Sequence, residues 1–519
     1  MPLTRRELLG ASAAGLLAPL AACGGARAPE SDPARMNLLF VVLEDTSASS
    51  LGCYGNPIAK TPSIDALAES GLRFERAYCQ ATVCNPSRAS ILTGLRPSTT
   101  GVLYNGDRLE LPGGVQALPR LLEPAGAKRY AIGKIFHSPE TAGAHLAGFE
   151  TLAYQEPGEG EARARELRVS GDPELEAELL RREAAAERAE RRSPGAPEAR
   201  EARRQFRQLL ADVVGDSGLG EDEETDGRIR RRAVELLGEL ARTRERFFLA
   251  LGFSRPHVPL RCPREYLELY DPAAMPLPEA PAERDRGIPE VARRFGGNLD
   301  IFRALEPTPQ RVREVLRAYY ACLSFADAQV GRVLAALEAT GLAGNTIVIL
   351  FADHGFHLGQ HGIWSKRTLF EQSTRVPLLI RVPGGAGSGR VCRESFVELA
   401  DLAPTLCDWW RAPATQAFEG RSLRALCEDP TREHRRAARS ECTIDAVLGR
   451  SLRTGRYRYS EWRGHRRDGS ALHEIELYDL ALDPQEQENR AASPEYQAAR
   501  ARLASWLARS GGFSRRFTG

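Results

Sequence analysis

MNLLFVVLED, residues 36–45, is an unbroken apolar run closed by two carboxylates, Glu44 and Asp45. A strand with one wet face alternates apolar and polar residues. A run that is apolar at every position belongs to a strand covered on both faces, the habit of parallel sheets packed between helices. In open α/β sheets ligands sit beyond the carboxyl ends of the strands, which makes acids placed there candidates for chemistry. NTIVILFADHG, residues 345–355, repeats the design and delivers Asp353 and His354. Two such strands predict one shared site at one sheet edge.

Working outward, RYAIGKIFH (129–137) and RFFLALGFSRPHVPL (246–260) read as further strands that run out into polar residues. TPSIDALAESG, RIRRRAVELLGELART and VREVLRAYYACLSFADAQVGRVLAALEATG carry helical periodicity between them. Alternating strands and helices predict an α/β fold with a large, mainly parallel sheet sandwiched by helices. Residues 156 to about 225 interrupt the alternation with dense Arg, Glu and Ala, and are expected to form solvated helices. Beyond residue 440, GRSLRTGRYRYSEW and HEIELYDL read as antiparallel strands, and SPEYQAARARLASWLARSG as a closing helix. The expected division is a main domain over 36–439 and a smaller C-terminal α+β subdomain over 440–519.

With 519 residues the chain can bury a large core without disulfides. Lys plus Arg (71) nearly balances Asp plus Glu (69), so no overall field recruits nucleic acid or an anionic membrane, and anions must be recognised by local charges. TRRELLG places Arg5 and Arg6 before an apolar segment that closes in LAAC. This pattern reads as an export signal over 1–23 of twin-arginine type with a lipoprotein-like cleavage site, followed by a tether over 24–35. Cys23 is then the expected lipidated residue, the sole membrane attachment, and the protein is expected in the periplasm or at the cell surface. Ten cysteines occur at no metal-finger spacing; pairing outside the cytoplasm and buried free thiols both remain open.

ATVCNPSRASILTG, residues 81–94, sets Cys84, Pro86 and Arg88 in the order C-x-P-x-R ahead of a helix-like segment. The segments NLLFVVLED with LGCYGN, VCNPSRASILTGLRP, GKIFH, GFSRPHVPL, FADHGFHLGQHGIWSK and ELYDLALDPQEQEN follow in turn. In this order they resemble the sulfatase family, across about residues 36 to 490 apart from the 156–225 stretch. Within it, GKIFH, LGFSRPHVPLRCP, HGIWSKRTLFEQSTRVPLLIRVPG and SLRTGRYRYSEW look most like the iduronate-2-sulfatase branch.

The resemblance implies that Cys84 is oxidised to formylglycine by a formylglycine-generating enzyme. The hydrated aldehyde then attacks a sulfate ester and afterwards expels sulfate by collapsing back to the aldehyde. It further implies a divalent cation, calcium with magnesium as the alternative, held by Glu44, Asp45, Asp353, His354 and the modified residue 84. Arg88 is implied as the group that holds the diol, and Lys134 and Lys366 as donors to the sulfate oxygens. His137 is the implied base and His257 the acid that protonates the leaving oxygen. Glu44 stands where the family usually has Asp, and Asn85 where it usually has a smaller residue. His357 and His361, four apart in a glycine-punctuated run, are expected beside the site or on its substrate side rather than as a helical zinc pair. The expected substrate is a sulfated carbohydrate, with a 2-O-sulfated uronate suggested by the branch. Alternatives are a phosphate or phosphonate monoester hydrolase, a choline or aryl sulfatase, and a surface binding protein without chemistry.

Overall fold

The computed structural model describes residues 32–509 apart from 112, 152–172, 194–195, 212, 280–286, 294–300, 303–305, 414 and 467. The expected export signal and residues 24–31 of the tether lie outside the described residues; the tether's end, Pro33–Arg35, is a 3-10 turn capped by the Asp32 side chain.

Asn37–Leu43 is the central strand, buried along its whole length, and it pairs in parallel with Phe247–Gly252 on one side and Thr346–Ala352 on the other. Eight strands form the sheet, in the order Arg390–Cys392, Leu72–Phe74, Leu378–Arg381, Thr346–Ala352, Asn37–Leu43, Phe247–Gly252, Lys128–Gly133 and Glu150–Thr151. Only Leu378–Arg381 runs antiparallel to its neighbours. Phe40 at the centre packs edge-on against Phe248 and Phe351 from the two flanking strands. Helices Pro62–Ser70, Thr225–Thr243 and Pro309–Ala339 pack together, as do Cys84–Thr93 and Leu402–Trp409. The three central strands are buried at every residue, as strands covered on both faces are. The mainly parallel, helix-sandwiched sheet anticipated from the apolar runs is thus the observed one.

The register fixes the site. Leu43 and Ala352 end neighbouring strands as a register pair, Gly252 ends the third opposite Val42, one residue short of them, and Gly133 ends the next one out, paired with Gly252. Any Cβ on Gly252 would lie about 2.0 Å from the Lys134 carbonyl oxygen, so only glycine allows these two strand ends to meet.

Within the charged stretch, Pro173–Arg192 and Pro197–Ala211 form two helices that share a small core of Leu179, Phe206, Leu209 and Val213. The chain then rejoins the main body through Val214–Asp216, which pairs with Leu260–Cys262. The C-terminal sheet has four antiparallel strands, Ala437–Ile444, Val447–Thr454, Tyr457–His465 and Ala471–Asp479, closed by helix Gln497–Arg509. Its first strand was not visible in the sequence. AARSECTI is too polar to read as buried, yet Ser440 donates to the Cys79 carbonyl and Glu441 accepts from Ser98. The described cysteines are free thiols, all buried except the half-buried Cys53.

Candidate active site

Cys84 opens helix Cys84–Thr93, with Val83 as its extended N-cap. The helix N-terminus favours negative charge, and so does its setting. The Cys84 Sγ lies 3.2 Å from Glu44 Oε1, 3.2 Å from His354 Nε2 and 3.5 Å from Lys366 Nζ. Burial alone would raise the thiol pKa, but the ammonium groups of Lys366 and Lys134 outweigh it and bring it down to about 6. The helix is locked to the sheet edge because Ser87 Oγ donates to the Asp353 carbonyl.

Asp45 is the most constrained residue here. Its φ of 50° lies in the left-handed region that a non-glycine residue occupies only when its surroundings hold it there. Tyr319 provides that hold by donating its hydroxyl to the Asp45 carbonyl at 2.9 Å, while Thr46 N–H donates to the His354 carbonyl. The turned backbone aims the carboxylate inward, where Oδ1 accepts from Lys366 Nζ at 2.6 Å. Among the described residues the buried Oδ2 has no hydrogen-bond partner. Lys366, His257 and His354 together overcome the effect of burial and lower the Asp45 pKa, so the carboxylate is ionised.

Glu44 reaches further than an aspartate could. Oε1 pairs with Lys134 Nζ and also faces the Cys84 sulfur. Burial opposes its ionisation, but Lys134 and His257 dominate and hold the pKa well below the ordinary carboxylate range. Asp353 behaves differently from these two acids. Its Oδ2 accepts from Arg88 Nε at 2.9 Å and its Oδ1 from the His354 N–H, so both oxygens already have partners. Arg88 also donates to the carbonyls of Lys134 and Ile135, tying the helix to the strand end that carries Lys134 and His137.

Three histidines complete the group. His354 Nδ1 faces the Gly355 carbonyl at 3.1 Å; a carbonyl only accepts, so Nδ1 carries a proton and Nε2 faces Cys84. Burial disfavours the charged ring, but Asp353 and Cys84 prevail and raise the pKa to about 9. By the same logic His257 Nδ1 donates to the Val258 carbonyl at 2.7 Å, which leaves Nε2 pointing at Asp45 Oδ2 and Glu44 Oε1, 3.9 and 4.0 Å away. His137 lies in the field of Lys134 and Glu44, and burial reinforced by Lys134 pushes it down to about 3, a neutral ring at ordinary pH.

The anticipated residues are therefore brought to one place. Glu44, Cys84 and His257, and Asp45, Cys84 and His354, each gather potential ligand atoms within 4.8 Å of one another. Asp353 adjoins them but is engaged by Arg88. Most of these side chains are fully buried, whereas Lys134 and His257 keep 17% and 20% of their side-chain surface, so the site opens to solvent on their side. The orphaned Asp45 Oδ2, the hard carboxylate pair and the Nε2 of His354 fit a divalent cation. Charge agrees with this: three buried acids face Lys134, Lys366 and Arg88, a balanced set that can take in a dication together with an anionic substrate.

His357 and His361 fall just outside. His357 is buried and hydrogen-bonded to Thr368, and His361 stacks on Phe370 with ring centres 4.0 Å apart; neither is among the described residues that gather potential ligand atoms around Cys84. Two residues with structural roles at the site gave little sign in the sequence. Asn85 donates its side-chain amide to the carbonyls of Tyr104, Asn105 and Asp107, and its backbone N–H to the Asn105 side chain. Its place beside Cys84 in C-x-P-x-R was the only pointer. Tyr319 lies within an ordinary helix and nothing in the sequence marks it.

Comparison with known proteins accords with this geometry. The sulfatase family profile matches residues 36–412, and that of the N-sulphoglucosamine sulphohydrolase C-terminal region matches 359–511. The chain is 29% identical to iduronate 2-sulfatase of Homo sapiens over 88% of its own length and 90% of that protein. The fold also matches the crystal structure of a phosphonate monoester hydrolase of Agrobacterium radiobacter, with a TM-score of 0.69, 25% identity, and coverage of 92% of this chain and 95% of that one. A 2-O GAG sulfatase structure superposes with a TM-score of 0.64 at 23% identity, covering 92% of each chain. With a family profile spanning most of its length, and with its acids and basic groups gathered around the cysteine of C-x-P-x-R, the chain belongs to the sulfatase family.

Proposed function

We propose that this protein hydrolyses the sulfate ester of a sulfated carbohydrate, with a 2-O-sulfated uronate as the favoured substrate and residue 84 as formylglycine. The carrying observation is the convergence of Glu44, His354 and Lys366 on the Cys84 sulfur at 3.2–3.5 Å, next to the unpaired Asp45 Oδ2. The aldehyde, as its hydrate, supplies the nucleophilic oxygen, and a divalent cation held by Glu44, Asp45, His354 and residue 84, with Asp353 adjoining, supplies the charge that makes it acidic.

The chain's own groups do the rest. Lys366 and Lys134 present ammonium groups where negative charge accumulates on a sulfate group, in a buried setting that strengthens their pull. Arg88 holds Asp353 and fixes the helix, so residue 84 faces the acids in one orientation. His137, held neutral by burial beside Lys134, is the proposed base and becomes basic enough to take a proton when an anionic group offsets the Lys134 ammonium. His257 stands on the open side with Nε2 directed inward, where it can protonate an alcohol leaving toward solvent. The uronate preference is supported by the 29% identity to human iduronate 2-sulfatase. Calcium is the proposed cation because the carboxylate oxygens are hard ligands.

Maturation requires a formylglycine-generating enzyme, and the N-terminal pattern supports export with lipid attachment at Cys23. The peptide containing residue 84, from protein co-produced with that enzyme, should carry an aldehyde mass. Cys84→Ala should abolish turnover of an aryl sulfate, and active protein carrying only thiol would overturn the reading. The likeness to a phosphonate monoester hydrolase supports a second reading, which a preference for a matched aryl phosphonate over the aryl sulfate would establish.

A further inference from the structure

A second charged cavity, of about 350 Å³, lies at the far end of the helix that begins with Cys84. Nine steps of about 1.5 Å carry the chain roughly 14 Å from Cys84 to Thr93, and Arg96 follows just beyond the left-handed Gly94. The walls come from parts of the chain far apart in sequence: Arg96, Glu398, Arg421, Arg435, Arg439 and, from the closing helix, Trp506.

The acids in this cavity already have partners. Glu398 pairs with Arg96 and lies 3.6 Å from Arg435, whose other nitrogen meets Asp401 at 2.6 Å. Glu433 pairs with Arg436 at 2.5 Å, and Glu419 accepts from the Arg96 backbone at 2.6 Å. Two guanidinium groups are left over. Arg421 donates to the His434 carbonyl, and among the described residues no carboxylate pairs with it. Arg439 likewise has no ion-pair partner among the described residues, and its Nη1 is buried without a hydrogen bond. Arg96 adds a second donor: the residue is 4% exposed and its Nε makes no hydrogen bond among the described residues, with a Glu419 oxygen 3.9 Å away. Burial, together with repulsion from Arg96 and Arg450, lowers the Arg439 pKa to about 10, and the fields of Glu398 and Glu419 only partly offset this.

Buried donors left unsatisfied are costly, and a native cavity that keeps them is built for a partner that supplies acceptors. Guanidinium groups match the paired oxygens of a sulfate or carboxylate, and the half-buried Trp506 lines the same cavity. We infer that this cavity is a second oxyanion site, separate from the Cys84 site, which takes a sulfate or carboxylate group between Arg439, Arg421 and Arg96. Free inorganic sulfate and the charged groups of an anionic oligosaccharide share this chemistry. The inference does not depend on the reaction proposed at Cys84.

The test titrates the full-length folded protein with sodium sulfate and, separately, with a heparin-derived hexasaccharide, following the fluorescence of Trp506 as the difference between wild type and Trp506→Phe. Arg439→Gln should weaken binding at least tenfold without lowering the melting temperature, since it removes a cation that has no partner. Its aryl sulfatase turnover, and inhibition of that turnover by sulfate, should match wild type, which separates this site from the catalytic one. Hexasaccharide binding at least tenfold tighter than sulfate identifies the glycan as occupant; comparable affinities identify the free anion. Absence of a Trp506-dependent signal with both probes, or equal affinities in wild type and Arg439→Gln, overturns the inference.

Discussion

The electrostatics around Cys84 can be tested without any turnover. In protein produced where residue 84 stays a thiol, and with metal removed by a chelator, the Cys84 pKa should be about 6. About nine-tenths of it is then thiolate at pH 7, against roughly one part in a hundred for an unperturbed thiol near 9. Lys366 stands 3.5 Å from the sulfur. At an effective dielectric near 20, a unit charge at that distance is worth roughly 4–5 kcal/mol, or about three pH units, part of which is absorbed by pairing with Asp45. Lys366→Met removes the ammonium and uncovers the Asp45 charge, so the thiol should titrate above about 8. The assay is thiolate ultraviolet absorbance against pH, corrected with Cys84→Ala. Background is favourable because burial pushes Cys392 and Cys442 up to about 11, and Cys53 and Cys407 up to about 12. A wild-type midpoint at 8.5 or above, or an unchanged midpoint in Lys366→Met, would refute the reasoning.

His257→Ala should lower kcat by roughly 10²–10⁴ on a sulfate ester of a poorly acidic sugar alcohol and far less on a nitrophenyl sulfate, whose leaving group needs no proton; equal losses on both would remove His257 from the acid role. Asn85→Ala strips the donor shared by three carbonyls of the 104–107 turn and should cost about 1–3 kcal/mol, read as a lower melting temperature, and an unchanged value would mean the turn is held otherwise. Burial raises Glu476 from 4.5 to about 7, despite hydrogen bonds from Trp462 and Tyr478. The folded state then holds a proton that the unfolded state has released between pH 4.5 and 7, so stability falls across that window by about 3 kcal/mol and Glu476→Gln should flatten the fall. Parallel pH–stability curves for the two proteins would contradict that account.

Much of this molecule is written locally. An apolar run without alternation specifies a doubly covered strand whatever surrounds it, so MNLLFVVLED and NTIVILFADHG announced the sheet and the edge that carries Glu44, Asp45, Asp353 and His354. The strand Ala437–Ile444 escaped because its polar side chains are satisfied by partners from elsewhere in the chain, and a pattern read along the chain cannot contain them.

The sequence by itself determined the fold class, the strand ends that bear the acids, and the cysteine around which they gather. Only the tertiary structure decided how those groups divide their work. Asp353 is committed to Arg88 while Asp45, turned into the left-handed region under Tyr319, keeps one oxygen unpartnered. Glu44 spans from Lys134 to Cys84, and Arg439 lines the same cavity as Arg96 with no ion-pair partner among the described residues. The physical reason is one of range. Hydrophobic periodicity and glycine geometry act between neighbours in the chain, whereas the pairing of buried charges is settled by whichever groups the sheet order brings within a few ångströms, here residues up to several hundred positions apart.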